Sequence, residues 1–552
     1  MSSPARPAPA REWGWALPAL VTLVAIAMVV AFDLATNLAL SDEWMFRWPI
    51  SQLAIGRGLH LWPGVLPVAL LQVLAAAPLA VAGAEPRWWR LTVVPFVVLA
   101  ALCSAALSRR QGADRFWAAV AAGVVVASPI YLSVATGLTS DIAYLGLLMA
   151  ALLAGLRWLE SGRGAPLAVA LAILATLERQ HGIAVAPALA VGLLMARSKR
   201  GVARREWGWL AVASVGTILA IALPFLAGWA SSTMADVGSG RGRLHPTAGS
   251  VAGTLLELGP VLALLFLPLV VSLLPRDDAE RRTHNRLAMI PVVVGTSGAV
   301  AALVFALYFG VIIWPGNVWT SSGLGPTHIG GAKPALVDLR AFLALEALTI
   351  AAIVVLFCWR RRAWLPGSLG TGGVFLVTAA LLHLAPMPFT SPLDRYYLAV
   401  ALPLVPVLAG IASRGCIGSP RLAGWAAGWA VGCLVVGVVY YAFAEQDYLA
   451  WQQARDQAAR LVYGQVDPAL VDAGYEATAS HVAVPVLAAT GRVVIDPIDL
   501  IPAHPRVRLL FAPADDRRPG VSWNSISPGR IVVVCAQAGA TADLSHLAAS
   551  CP

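Results

Sequence analysis

Two adjacent carboxylates end the first long apolar segment of the chain. Asp42 and Glu43 stand in "NLALSDEWMFRWPI", and a third acid, Asp141 in "ATGLTSDIAYLG", begins a later apolar segment at a similar predicted depth. A carboxylate in such a place can take the proton from an attacking hydroxyl or amine. The alternatives are that the first pair is simply solvated at a helix end and that Asp141 caps a helix N-terminus.

Two arginines mark two further segments. Arg179 lies in "LERQHGIAVAP" between apolar stretches of about 14 residues, roughly 21 Å of helix against a hydrocarbon core of about 30 Å. This predicts an apex sunk below the outer surface, where an ionisable group is a functional candidate, although Glu178 and Arg179 could also pair within a tight turn. Arg395 in "SPLDRYYLAVALPLVP" suits a phosphate, whereas Tyr396 beside it is also typical of an aromatic belt.

Together these groups predict a transfer reaction at the membrane surface. A carboxylate would act as the base, and the arginines would hold and neutralise a phosphate leaving group. No P-loop, GxGxxG or HExxH motif occurs, so neither ATP nor another cofactor is predicted, and a metal requirement is left open. His328 and Lys333 in "GLGPTHIGGAKP" are candidates for the acceptor site, or belong to a loop that only covers it.

The composition predicts an all-α polytopic membrane bundle. Of the 552 residues, 59% are hydrophobic and 12% are charged, about half the charged fraction of a soluble protein. The net charge of +10 does not indicate nucleic acid, because residues 444–552, with 8 Arg against 11 Asp and Glu, are net negative and the basic excess lies in the membrane part. Apolar stretches of sufficient length predict thirteen spans, near residues 15–40, 89–108, 116–137, 142–158, 165–178, 183–196, 207–230, 250–274, 287–313, 338–358, 370–386, 395–413 and 421–443.

The distribution of basic residues predicts the orientation of these spans. With the N-terminus in the cytoplasm, the inside segments hold 21 of the 31 Lys and Arg residues before residue 444. A crossing by the apolar stretch 66–83 would reverse the later loops, so this stretch is predicted to lie in or on the outer interface. Thirteen crossings then put the C-terminus on the outer side of the membrane. The membrane itself is predicted to be the plasma (inner) membrane.

The chain divides into two predicted parts. Residues 1–443 would form the transmembrane catalytic module, and residues 444–552 a small extracytoplasmic α/β domain, because "RVRLLFAP" and "RIVVVCAQ" are typical of short buried strands. Cys535 and Cys551 both lie in this exported tail. An oxidising compartment would allow a disulfide between them, while free thiols remain the alternative.

A transporter or lipid flippase is the alternative from a different functional class. Asp33 lies within the first predicted span, and an intramembrane acid is what a proton-coupled carrier would use. Two features favour an enzyme instead. The span pattern shows no internal repeat, and the polar residues gather at the outer face rather than at the midplane.

The order of these motifs resembles the GT-C superfamily of polytopic glycosyltransferases, and within it the protein-mannosyltransferase and aminoarabinose-transferase type. The acid pair is followed by "LWPGVLPVALLQVL", then by "VVASPIYLSVATGLTSDIAYLG", "LATLERQHGIAVAPAL" and the late "DRYYLAVALPLVP". The resemblance covers residues 33–200 and returns near 385–410. It departs from the family at "WPGVLP", where relatives have Pro-Pro-Leu, and "DPALVDAGYEA" in the tail is similar to a stretch of bacterial relatives.

This resemblance implies an activity and roles for single residues. The enzyme would move a sugar from a polyprenyl-phosphate carrier to an extracytoplasmic lipid, glycan or protein acceptor. Asp42, with Glu43 beside it, would match the catalytic acid of the first outer loop, and Asp141 would position the acceptor or the base. Arg179, Arg395 and Tyr396 would face the carrier phosphate.

Overall fold

The computed structural model describes twelve segments of the chain, and the statements below concern these alone. They are residues 14–61, 69–229, 248–270, 272, 318–320, 322–325, 329–331, 333–336, 366–389, 393–416, 420–483 and 505–535. The predicted spans at 287–313 and 338–358, and the predicted acceptor residue His328, lie outside the described residues.

The described part is mostly helical. Its helices up to residue 226 are α1 (Ala16–Ala35), α2 (Glu43–Ala54), α3 (Leu70–Val81), α4 (Pro86–Trp89), α5 (Val94–Arg110), α6 (Arg115–Val126), α7 (Pro129–Ala135), α8 (Ser140–Ser161), α9 (Ala165–Glu178), α10 (Val185–Arg200) and α11 (Arg204–Leu226). The later helices are α12 (Ala248–Val270), α13 (Pro366–Leu384), α14 (Leu398–Cys416), α15 (Pro420–Tyr463) and α16 (Tyr475–Thr478). Short 3₁₀ turns precede α10 and α14, at Gln180–Ala184 and Asp394–Tyr397.

Eight stretches of the described residues are long and apolar enough to cross a membrane. They are Ala16–Ala35, Pro86–Arg110, Ser140–Ser161, Gln180–Arg200, Arg204–Leu226, Leu369–Phe389, Asp394–Arg414 and Ala423–Tyr463. The pair α6 and α7, bent by 58° at a short break, would make a ninth. The predicted span at 165–178 is a helix of 14 residues, and the one at 250–274 corresponds to α12. The chain is therefore a multi-pass membrane protein.

The segment after the first span forms two short helices, as expected for interfacial elements. Helix α3 has 12 residues, about 18 Å of helix, which is too short to cross a bilayer. Helix α2 also has 12 residues, and it begins at the acid pair. The predicted stretch 66–83 therefore does not form a spanning helix of its own.

Two helices form the centre of the bundle. In α8 and in the helical stretch Asp394–Arg414, 89% of the most apolar window is buried, against 22% in Arg204–Leu226, which lies at the periphery. Close packing at the centre requires glycine, since a Cβ on Gly146 of α8 would come within 2.6 Å of the Phe96 carbonyl oxygen. The N-terminal end of α8 carries Asp141, so one acid of the predicted site stands on a rigid central element.

A five-stranded sheet contains the strands that follow the last spanning helix and one strand that precedes it. Its strands are β3 (Gly330–Gly331), β4 (Val471–Asp472), β5 (Val507–Pro513), β6 (Gly520–Trp523) and β7 (Gly529–Cys535), while β1 (Trp319–Thr320) and β2 (Gly323–Leu324) pair separately. Strand β7 lies antiparallel between β5 and β6, with Val507 opposite Cys535 and Val521 opposite Ile531. Strands β3 and β4 both run parallel to β5.

The tail is more closely joined to the membrane module than its sequence suggested. Helix α15 continues through residue 444 without a break, and β3 brings residues 330–331 of the membrane part into the tail sheet. The predicted buried strands at 506–513 and 530–537 correspond to β5 and β7. Cys535 is disulfide-bonded, whereas Cys551 lies outside the described residues, so its pairing with Cys535 stays a prediction.

Candidate active site

Four charged side chains from four separate elements meet at one end of the bundle. The Nη2 atom of Arg395 donates to Oδ2 of Asp42 at 2.6 Å, and its Nε atom lies 3.9 Å from Oδ2 of Asp141. The other oxygen of Asp141 contacts Nη1 of Arg179. The two acids and two arginines therefore form a chain of alternating charges whose formal sum is zero.

Tyr396 lies between the two arginines. The Cζ atoms of Arg179 and Arg395 are 5.3 Å and 5.6 Å from the centroid of its ring, within the range of a cation–π contact. The structure thus brings together five of the eight residues that the sequence singled out, with Tyr396 at the centre.

The local sequence explains how Arg179 reaches this cluster. Helix α9 ends at Glu178, and Arg179 is extended, with φ −149° and ψ 137°, before the chain turns into the next helix. The turn brings Gly182 against the end of α9, where a Cβ would come within 2.5 Å of the Thr176 amide nitrogen. The second half of this hairpin is longer than predicted, because its basic end, up to Arg200, is also helical.

The turn that carries Asp42 is strained and tightly held. Ser41, immediately before it, has φ of 51°, a left-handed conformation that costs a residue other than glycine on the order of 1 kcal/mol or more. The carboxylate of Glu43 accepts from the Leu40 amide at 2.9 Å, and so closes this turn. Such strain persists only where the surroundings over-determine it, and it is often found at functional sites.

Glu43 does not share the position of Asp42, although it was predicted beside it as a catalytic residue. It is fully buried, and its two oxygens bind Arg90 at 2.8 Å and Arg47 at 3.0 Å. Burial alone would raise the pKa of this carboxyl, but Arg47 and Arg90 outweigh it and hold the pKa at about 2. Both oxygens are therefore occupied away from the charge cluster, and we expect Glu43 to support the site.

Replacing Glu43 by glutamine should therefore destabilise the protein. The change leaves Arg47 and the fully buried Arg90 without their shared counter-charge, and breaking a buried pair typically costs about 3–5 kcal/mol. Since the folded-state pKa is lowered, this stabilisation is present at neutral pH and is lost only as the pH falls toward 2. Thermal unfolding in detergent measures the effect.

The matched control is Glu85→Gln. Glu85 also pairs with an arginine, Arg87 at 2.7 Å, but its side chain is 53% exposed, and exposed pairs contribute about 0–1 kcal/mol. A Glu43→Gln protein that unfolds at the same temperature as the Glu85→Gln protein would contradict the supporting role.

Arg90 and Asp33 were not predicted as supports of the site. Arg90 donates to the carbonyl oxygens of Asp33 at 3.0 Å and Thr36 at 2.8 Å, and it also contacts that of Leu38. The Asp33 carboxylate accepts from the Gly137 amide at 2.8 Å. These bonds tie the segment before Asp42 to the segment before Asp141. In the sequence, each of these two residues is a charge within an apolar stretch. Their contact could not be predicted, because Arg90 and Asp33 are 57 residues apart.

Lys333 lies outside the charge cluster. Its side chain is 2% exposed, and its ammonium group binds Oδ2 of Asp447 on α15 at 2.8 Å. Burial lowers the pKa of Lys333, and Asp447 opposes this effect. Lys333 thus joins its segment to the last long helix, and its predicted acceptor role stays a prediction.

Asp394, next to Arg395, anchors strand β1 to the site. Its carboxylate accepts from the amides of Val318 and Trp319 at 3.1 Å and 2.9 Å. The Trp319 indole in turn donates to the Tyr440 hydroxyl at 2.7 Å. These bonds fix β1 beside the arginine that binds Asp42.

An apolar cleft of about 200 Å³ ends at this anchor. It lies between α6, α7, α12 and α15, at the bend between α6 and α7. Its lining includes Ile130, Leu264, Leu434, Val436, Trp319 and Tyr440. Val436 is 67% exposed on the outer surface of the bundle. The cleft is thus lined both by Val436 at the apolar periphery and by Trp319 and Tyr440.

Within the part of the chain that the structure describes, no group of three or more His, Cys, Asp or Glu side chains is placed to hold a metal ion. The arrangement itself offers two chemical functions. The arginines can bind and neutralise an anion such as a phosphate, and a carboxylate released from them can accept a proton.

Similarity to known proteins is confined to structure. No protein-family model matches the sequence, and neither does a curated protein. The chain is similar to the archaeal oligosaccharyltransferase AglB from Archaeoglobus fulgidus, solved with an inhibitory peptide and a dolichol-phosphate, with a TM-score of 0.40 and 14% identity over 82% of this chain. It is also similar to the arabinosyltransferase EmbB from Mycobacterium smegmatis, with a TM-score of 0.32 and 14% identity over 81% of this chain.

The chain spans 58% of the length of the first structure and 44% of the second. At such TM-scores and identities, the function has to be argued from the residues of the site. The chain is a mostly helical, multi-pass membrane protein, and an oligosaccharyltransferase and an arabinosyltransferase are among the structures it is similar to.

Proposed function

We propose that this protein is a membrane glycosyltransferase that moves a sugar from a polyprenyl-phosphate carrier to an extracytoplasmic acceptor. The acceptor would be a hydroxyl or amine of a lipid, glycan or protein. Asp42 acts as the general base, Asp141 positions it, and Arg179, Arg395 and Tyr396 bind the carrier phosphate. The site faces the outside of the plasma membrane, with the N-terminus in the cytoplasm and the tail sheet outside.

The observation that carries this proposal is the meeting of two acids and two arginines in one cluster, in which Arg395 contacts both acids. The side chain of Arg395 is 8% exposed, and its Nε–H group is buried without a hydrogen-bond acceptor among the described residues. An unpaired buried donor costs about 1–3 kcal/mol, so it is expected to serve a partner that is absent from the free protein. A phosphate oxygen matches this donor, because the guanidinium fork binds phosphate with two parallel hydrogen bonds.

The transfer step then balances within the site. The acceptor oxygen or nitrogen attacks the anomeric carbon of the sugar, and the bond between that carbon and the phosphate oxygen breaks. The acceptor proton passes to Asp42. The bond electrons leave with the polyprenyl phosphate, whose added negative charge is neutralised by Arg179 and Arg395.

The ion pairs of the free protein give this reaction an order. Asp42 is held by Arg395 at 2.6 Å, so its bound oxygen is not free to take a proton. A phosphate competes with the carboxylates for the two arginines, and a donor that wins this competition releases Asp42. Donor binding therefore frees the second oxygen of the base, and we expect the acceptor to bind after the donor.

The apolar cleft accounts for the rest of the donor. A polyprenyl chain is apolar throughout, and the cleft is lined by apolar side chains up to Trp319 and Tyr440. One residue of its lining, Trp319, is linked through Asp394 to the neighbouring Arg395. A chain lying in the cleft would place its phosphate end toward the arginines.

Turnover of lipid-linked sugars tests the proposed function. Purified protein in nanodiscs is given radiolabelled sugars on undecaprenyl phosphate, and release or transfer of the label is counted. We expect release from at least one donor, with water replacing an absent acceptor at a slow rate. A folded protein that neither binds bare undecaprenyl phosphate nor turns over any donor would refute the proposal.

A further inference from the structure

Beside the charge cluster stands a histidine to which neither the sequence resemblance nor the proposed phosphate site gives a role. His181 follows Arg179 by two residues, in the 3₁₀ turn Gln180–Ala184. It is partly exposed, as are Arg179, Tyr396 and Asp42. Its imidazole nitrogens make no hydrogen bond to any residue that the structure describes. A free, accessible donor and acceptor therefore lies next to the proposed phosphate site.

The imidazole lies between two aromatic rings. Its centroid is 6.4 Å from that of Tyr396, the tyrosine that both arginines contact, and 6.4 Å from that of Tyr144 on α8. Both distances are within the range of aromatic pairs. The partly exposed rings of Tyr396 and His181 make a short wall beside the arginines, and the buried ring of Tyr144 packs against its far end.

The far end of this wall is fixed by a hydrogen bond whose direction can be assigned. His383 on α13 lies with Nδ1 2.7 Å from the Ala379 carbonyl oxygen, which can only accept, so Nδ1 carries the hydrogen. Its Nε2 atom therefore accepts, and the Tyr144 hydroxyl donates to it at 2.5 Å. Tyr144 and His383 are both buried, with 2% and 1% exposure. Their polar atoms are thus satisfied, whereas those of His181 are left for a ligand.

We infer that His181 binds a hydroxyl of the donor sugar and that the wall of Tyr396 and His181 selects which sugar is accepted. This inference rests on the proposed function and extends it from the phosphate to the sugar. In the donor, the anomeric carbon is bonded directly to a phosphate oxygen. A sugar whose phosphate is bound by Arg179 and Arg395 must therefore lie within one ring's width of them, which is where His181 stands.

The chemistry of a sugar matches such a wall. A sugar ring carries apolar C–H faces and polar hydroxyl edges, so it packs against aromatic rings and needs fixed hydrogen-bonding groups at its rim. A neutral imidazole provides one donor and one acceptor, which together bind a hydroxyl group. Leucine at position 181 keeps a similar apolar volume and removes both polar atoms.

Two lipids that differ only in the sugar test the inference. Binding of bare undecaprenyl phosphate is compared with binding of the same lipid carrying mannose, glucose, galactose or arabinose, using the whole purified protein in nanodiscs. We expect the wild type to bind at least one sugar-bearing lipid more tightly than the bare lipid. His181→Leu should weaken that binding roughly 2- to 13-fold, as the loss of one hydrogen bond implies, and leave bare-lipid binding unchanged.

A conservative variant and a control variant show whether the effect is specific to the polar atoms of His181. His181→Gln, which keeps one donor and one acceptor, should retain part of the preference for the sugar. His60→Leu is the matched control, because His60 is exposed and its Nε2 atom contacts only the Arg57 carbonyl oxygen at 3.0 Å. A purely structural role for His181 would lower binding of both lipids alike, and that outcome would overturn the inference.

Failure of the inference differs from failure of the proposed function. If bare-lipid binding depends on Arg395 but sugar preference is the same in His181→Leu and wild type, only the role of His181 is wrong. If no tested sugar strengthens binding in the wild type, the sugar-selecting wall is wrong as well. If bare-lipid binding is absent or independent of Arg395, the phosphate site fails, and this inference fails with it.

Discussion

Asp42→Asn should reduce sugar release from the donor by about a hundred- to ten-thousand-fold, the usual contribution of a positioned general base. Asparagine has nearly the same shape but cannot take the acceptor proton. The fold should survive, because Arg395 keeps Asp141 at 3.9 Å and Asp42 itself is 25% exposed. Initial rates with a saturating donor measure the loss.

The same variant makes a second prediction that separates catalysis from binding. In the wild type, a donor phosphate must displace Asp42 from Arg395. Asp42→Asn removes this competitor, so it should bind bare undecaprenyl phosphate at least as tightly as the wild type. Asp516→Asn, on the tail far along the sequence and paired with Arg518 at 2.7 Å, is the surface control. Rates of Asp42→Asn equal to those of this control would transfer the base role to Asp141 or end the assignment.

Arg395→Gln should weaken binding of bare undecaprenyl phosphate by about 10- to 100-fold. The change removes charge-assisted hydrogen bonds to the phosphate, each of which contributes about 1.5–3 kcal/mol. The loss should appear in affinity, since the arginine contacts the phosphate before the reaction as well as during it. A titration of the lipid into protein in nanodiscs measures it.

Two variants control the arginine experiment. Arg395→Lys keeps the charge but loses the planar fork, so it should restore only part of the affinity. Arg110→Gln is the matched control, because Arg110 contacts Glu160 and its side chain is 38% exposed. Lipid binding by Arg395→Gln that equals binding by Arg110→Gln would show that the phosphate binds elsewhere.

Much of the site could be predicted because its charged residues are unusual in an apolar chain. Asp42, Asp141, Arg179 and Arg395 each interrupt or end an apolar stretch, and polar groups at membrane depth are costly unless they have a function or a partner. The structure places all four within one cluster. Their meeting could be predicted from the order of the spans, since each stands at the same predicted outer side.

The partners inside the cluster could not be predicted in the same way. Asp42 and Glu43 are neighbours in sequence, yet one binds Arg395 and the other binds Arg90. Which acid faces the site depends on the strained turn at Ser41 and on the direction in which α2 begins. Those are features of the tertiary packing and leave no trace in spacing or composition.

The tail shows the same limit at the level of the fold. Strands β5 and β7 were expected from their apolar runs, but two glycines at 330–331 form a strand only because β5 offers an edge for them. Lys333 follows this strand, so its ammonium group reaches Asp447 instead of the charge cluster. A Gly-rich loop carries no pattern that predicts such pairing.

The most direct test of the central claim measures donor binding and sugar release in the same sample. Wild type and Asp42→Asn are loaded with equal amounts of one radiolabelled donor, and bound lipid and released sugar are counted over time. The account predicts equal or tighter binding and almost no release by Asp42→Asn, against steady release by the wild type. Equal release by the two proteins at equal occupancy would contradict the role of Asp42 as the base.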